Sequence, residues 1–126
     1  MARPIRMPSE EELPPGSVRS FATEMFGLYK EAHRPPLRLI SATVARLDHS
    51  GTASPETIRR MLSGTTVPIH WPTVEAVLMA FCQLSGADPD ADYHYDVSGG
   101  RTSRRQAVES TWHRALDFPD ELYEYD

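Results

Sequence analysis

The sequence predicts an all-α fold of five helices. Apolar residues recur at helical spacing in five separate stretches, Pro or Ser opens four of them, and no stretch alternates apolar and polar residues as a half-buried strand does. A chain of 126 residues suits one domain, and at that size roughly two-thirds of the unfolded surface can be hidden, enough for a core without metal or disulfide staples.

Residues 1–15 carry Pro4, Pro8, Pro14 and Pro15 and no apolar period, so a flexible arm outside the core is expected. From Ser17 to His33, Val18, Phe21, Met25, Leu28, Tyr29 and Ala32 form one stripe of a first helix, which Arg34-Pro35-Pro36 breaks. The second helix starts at Pro36, buries Leu37, Ile40, Val44 and Leu47, and ends near Asp48, where His49-Ser50-Gly51-Thr52 supplies a loop. The third is short and well punctuated. Ser54 suits the N-cap, Pro55 the first helical position, Glu56 the positive end of the dipole and Gly64 a left-handed C-terminal turn. Ile58, Met61 and Leu62 share its buried side. Glu56, Thr57, Arg60 and Ser63, with Ser54, face outward.

Pro72 opens a fourth helix whose stripe is Val74, Val77, Leu78, Phe81 and Leu84, closed by Ser85-Gly86. Residues 87–102 read as an acidic, irregular connection. Ser103 then caps a C-terminal helix over 103–118, with Ala107, Val108, Trp112, Ala115 and Leu116 on one side and Phe118-Pro119 as its stop. Residues 119–126 form an acidic tail too charged to pack unaided.

The chain has 13 basic and 18 acidic residues, a net charge of −5, which argues against a polyanionic partner. The distribution points the other way. Between Ser17 and Trp71 there are seven Arg or Lys against four acids, while acids crowd into Glu10–Glu12, Asp88–Asp96 and the tail. An acidic tail lowers non-specific affinity for DNA and leaves a local basic face intact. All basic residues except Lys30 are arginine, which reads as codon bias toward GC-rich DNA and suggests an actinobacterial source.

The succession RPPLRLISATVARL, loop, SPETIRRMLSG, WPTVEAVLMAF resembles the helix-turn-helix domains of the Cro/repressor, or XRE-like, class, and within it an actinobacterial group. The similarity spans about Ser17 to Gly86, so 16–86 is the expected helix-turn-helix domain. One departure is visible. Ordinary members join the two motif helices by a turn of about three or four residues, whereas the connection from Asp48 to Ala53 is longer.

The resemblance implies a second helix braced across the DNA backbone and a third in the major groove. The residues fit those roles. Arg60 is forked and always charged and suits guanine, Glu56 can accept from cytosine, and Thr57 can touch a thymine methyl, so these three are the expected base contacts. Arg38, Ser54, Ser63, Thr65 and Thr66 are the expected phosphate contacts. Arg59 lies between the faces and its role stays open. Double-stranded DNA is the expected partner, and a transcriptional regulator the expected function. The bland alternatives are N-cap chemistry for Ser54 and Thr57, and a solvated helix surface for Arg60.

Other chemistry lacks a pattern. The five histidines and Cys82 have no metal-ligand spacing, Asp92-Tyr93-His94-Tyr95-Asp96 lacks the glycine and terminal glutamate of a calcium loop, and there is no G-x-S-x-G or Gly-rich phosphate loop. No catalytic residue, metal or cofactor is expected. A single cysteine forms no internal disulfide, and no apolar run approaches the about 18 residues of a membrane span or the core of a signal segment. A cytoplasmic protein without a membrane partner is expected. Trp112 serves either the core or a two-fold face, giving a homodimer through the C-terminal helix. The alternative function is an adaptor that keeps the helix-turn-helix fold and binds a protein through that helix or the acidic tail.

Overall fold

The computed structural model describes residues 5–47, 51–95 and 100–118. Five helices carry it: α1 (Ser17–Glu31), α2 (Leu37–Arg46), α3 (Pro55–Ser63), α4 (Trp71–Ser85) and α5 (Arg104–Asp117). The predicted stripes are the buried ones. Phe21, Met25, Ile40, Val44, Ile58, Met61, Leu62, Val74, Val77, Leu78, Phe81 and Val108 are essentially inaccessible, and Val18, Leu37, Leu47, Leu84 and Leu116 pack at their edge. α4 lies on α2 and α5 lies on α1, while α3 rests on both α1 and α2. Such an arrangement satisfies every amphipathic face within one layer of neighbours. Among the described residues no helix is long and apolar enough to cross a membrane. Burial pushes the Cys82 thiol up to about 11, which keeps it a small apolar filler.

Three expectations are corrected. Two strands, β1 (Asp92–Tyr95) and β2 (Arg101–Ser103), pair antiparallel where an irregular connection was expected, with a register shift between Asp92 and His94. Neither is long enough to carry an alternating pattern. β2 runs straight into α5, so Ser103 ends a strand and caps a helix: its hydroxyl accepts from the Gln106 N–H at 3.1 Å, and the Gln106 carboxamide accepts from the Ser103 N–H at 3.1 Å.

The N-terminal segment is not wholly outside the core. Ile5 and Met7 pack against it, Ser9–Leu13 form a hydrogen-bonded turn, and the Arg19 guanidinium holds that turn by the Leu13 carbonyl at 2.6 Å. Isolated apolar residues among prolines find a surface that one-dimensional periodicity cannot reveal.

The second helix ends at Arg46 rather than near Asp48. The Leu47 N–H bonds the carbonyls of both Thr43 and Val44, tightening the last turn. Asp48, His49 and Ser50, in the lengthened connection, lie outside the described residues, as does the acidic tail 119–126.

The connection re-enters at Gly51 and is fastened on both sides. The Ser41 hydroxyl donates to the Ala53 carbonyl at 2.7 Å, and buried Gly51 sits so close to α4 that an added Cβ would stand 1.9 Å from the Pro72 carbonyl oxygen. α3 is therefore positioned by contacts to α2 and α4 at its entry.

Of the two uses the sequence leaves open for it, Trp112 serves the core. Its ring lies 5.3 Å from that of Trp71, its indole N–H donates to the Pro68 carbonyl at 2.6 Å, and only 6% of it is exposed. Any pairing through α5 would have to use its other residues.

Ion pairs fasten α5 to the rest. Arg104 grips Glu31 of α1 through two bonds of 2.9 Å, and Arg105 bridges Glu75 of α4 and Asp90, at 2.7 Å from the latter. The hydrogen bonds from Arg104 hold the Glu31 carboxyl below the usual carboxylate range, and those from Arg105 do the same for Asp90. A depressed carboxyl pKa stabilises the fold fully above its unfolded value near about 4, and that contribution is lost as pH falls through the folded value. The expected result is a urea midpoint that is level at neutral pH and drops below about pH 4.5, with a shallower drop in Arg104→Ala. Both carboxylates are more than a third exposed, so the drop is modest. An acid limb identical in the two proteins would contradict the assignment.

Candidate nucleic-acid interface

α3 is defined locally by its ends. Ser54 is extended, at φ −76° and ψ 161°, and its hydroxyl accepts from the Thr57 N–H at 3.1 Å; Pro55 follows in the first turn. Gly64 is left-handed at φ 73°, and the Thr65 N–H reaches back to the Arg60 carbonyl at 2.9 Å. Leu13 from the N-terminal segment lies over Gly64, where an added Cβ would meet its Cδ2 at 2.4 Å. The arm thus helps seat the end of this helix.

With Ile58, Met61 and Leu62 buried, Glu56, Arg59 and Arg60 are left about half exposed. They form one cluster. Arg59 grips the carboxylate side-on, with Nε donating to Oε1 at 3.0 Å and Nη2 to Oε2, while Arg60 donates from Nε to Oε2 at 2.9 Å. These bonds, Arg59 first, hold the Glu56 carboxyl below the usual carboxylate range. Among the described residues the two Nη atoms of Arg60 have no partner.

The other expected contacts divide into groups. Ser54 and Thr57 exchange a hydroxyl hydrogen bond of 3.0 Å, so the cap chemistry and the outward face are shared by the same two side chains. Together with Thr66 they line an open cleft of about 520 Å³ between α3 and the start of α4, alongside Thr52, Thr73 and His70. Ile69, on the rim, is 72% exposed. Ser63 and Thr65 pair with each other at 2.8 Å at the opposite, carbonyl end of the helix, which is the wrong end of the dipole for a phosphate. The backbone N–H groups of Thr65 and Thr66 both turn back to the Arg60 carbonyl, at 2.9 and 3.4 Å, leaving only hydroxyls for a ligand there. Arg38 stands exposed in the first turn of α2, away from the α3 cluster in sequence and in hydrogen bonding.

Sequence reasoning did not find Thr52, Thr73 and Ile69, which reach the cleft only through the packing of α4 on the connection. The role of Arg59, left open by the sequence, is to share the Glu56 carboxylate with Arg60, since a glutamate three and four residues before two arginines puts all three within reach. At the end of α1, Arg34 has φ 52° and sets its guanidinium 5.5 Å from the centre of the Phe26 ring, and Lys30 stands 5.9 Å from the same ring. These cations are exposed near the turn into α2.

Comparison with known protein families, with characterised proteins and with solved structures gives no match to this chain.

Proposed function

We propose that this chain is a sequence-specific DNA-binding protein, a transcriptional regulator of the helix-turn-helix kind that reads the major groove with α3. The observation that carries the reading is the outward face of that helix: a short, doubly capped element with its apolar side buried, offering an exposed arginine whose terminal fork has no protein partner among the described residues. A guanine edge presents two acceptors at the spacing of such a fork.

Roles follow from position. Arg60 reads a base, and Thr57, at the N-terminal end of α3, touches a neighbouring pair. Ser54 meets a phosphate beside the positive end of α3, and the Thr66 hydroxyl, which follows the other end of the helix, lines the same cleft. Arg38, Lys30 and Arg34 supply affinity by releasing counterions. Ser63 and Thr65 have the weakest claim of the residues expected at phosphates, because of the dipole. The action is binding, with no chemical step.

Arg60→Ala is expected to weaken binding to a selected duplex by about 1–3 kcal/mol and to relax one base position, while Arg38→Ala weakens binding to every duplex alike and lowers the salt slope by about 1. Fluorescence anisotropy over a salt series distinguishes the two. Equal losses on all sequences in both variants would contradict the assignment of Arg60.

A protein-binding adaptor is the second reading, favoured by Ile69, which stands open beside the same cleft. For that reading, the wild type enriches no DNA motif, and Ile69→Ser abolishes capture of a protein partner while the chain stays helical.

A further inference from the structure

The α3 cluster does more than present base contacts, and its further role rests on the DNA-binding reading. Arg59 spends its Nε and Nη2 on Glu56, whereas Arg60 gives only its Nε, at 2.9 Å. An arginine anchored at Nε has fewer rotamers left, and its outer edge, with one N–H from each Nη, stays available to a pair of acceptors. We propose that Glu56 is a positioning residue that holds Arg60 with its terminal fork presented to a guanine, and whose charge keeps α3 from binding phosphates indiscriminately.

The carboxylate already accepts three hydrogen bonds from Arg59 and Arg60, and in this role it acts through Arg60. Arg59 is the balancing cation, and its loss leaves the Arg60 anchor in place. Removing the negative charge strengthens attraction to any duplex, since one repulsive charge at the DNA surface disappears. A neutral side chain that still accepts from Nε separates the two parts of the role, because it keeps the anchor and loses the charge.

The test uses the full chain and the duplex motif it enriches from a random library. Affinities of the wild type, Glu56→Ala, Glu56→Gln, Arg59→Ala and Arg60→Ala are measured on that duplex, on one with the Arg60-dependent guanine pair exchanged, and on an unrelated duplex. Circular dichroism confirms that each variant is helical. Glu56→Ala is expected to cut the preference for guanine about fivefold and to raise affinity for the unrelated duplex severalfold. Glu56→Gln raises the unrelated affinity in the same way but keeps most of the preference, and Arg59→Ala keeps it too. A Glu56→Ala protein with the full guanine preference overturns the proposal, as does a motif whose guanine does not depend on Arg60; either leaves the DNA-binding reading standing. A wild type that enriches no motif overturns that reading and the proposal together.

Discussion

Trp112→Ala is expected to destabilise the domain by about 3–5 kcal/mol, the range for removing a buried aromatic side chain. The indole joins three parts of the chain: α5 that bears it, the Trp71 ring at the start of α4, and the Pro68 carbonyl in the loop after α3. Alanine removes the packing and also leaves that carbonyl without its donor, a further cost of the kind that unpaired polar groups carry. Trp112→Phe separates the contributions, keeping a ring while losing the N–H, with an expected cost of about 1 kcal/mol for the missing hydrogen bond beyond the smaller ring. Urea denaturation followed by helical circular dichroism measures both. A domain of ordinary stability, about 5–15 kcal/mol, survives the alanine variant with a much lower midpoint. A loss below about 1 kcal/mol, together with a smaller mass in solution, would instead place Trp112 at an interface between copies.

Gly51→Ala is expected to cost about 1–3 kcal/mol or more, by overpacking. The methyl would lie 1.9 Å from the Pro72 oxygen, 2.5 Å from its carbonyl carbon and 3.0 Å from the Thr73 nitrogen. All three are backbone atoms in the first turn of α4, so no side-chain rotation relieves the contact. Either the connection or the start of α4 must move, and α3 moves with the connection. A fall in DNA affinity at temperatures where the variant is still fully helical is therefore part of the expected result. Thr52→Ala, one residue on and exposed, is the control and should change stability by less than about 0.5 kcal/mol. A Gly51→Ala protein as stable as the wild type would show that the approach to Pro72 is not what seats the connection.

The helices were legible because each buried face repeats at the helical period: Phe21 and Met25 in α1, Ile58, Met61 and Leu62 in α3, and Val74, Val77, Leu78 and Phe81 in α4 all follow it. Caps were legible too, since Ser54, Gly64 and Ser103 act within a few residues of themselves. Features that depend on distant partners were not. The β1–β2 ribbon is too short to show a period, Leu13 gains meaning only from Gly64, and the glycine at 51 is required by a proline that comes much later in the chain. The candidate site divides the same way. Glu56 and Arg60 were placed on one exposed face by spacing, but their joining with Arg59 in one cluster, with the Arg60 fork left open, follows only from the fold. Thr73 joins Ser54 and Thr57 across a cleft that no local pattern encodes.

The most direct test of the central claim is selection from fragmented, GC-rich genomic DNA at moderate salt, run in parallel with the wild type and with a variant carrying Glu56→Ala, Thr57→Ala and Arg60→Ala. DNA reading through α3 predicts a shared motif that the wild type enriches and the helical triple variant does not. A folded wild type that enriches no motif, or a variant that enriches the same one, would contradict it.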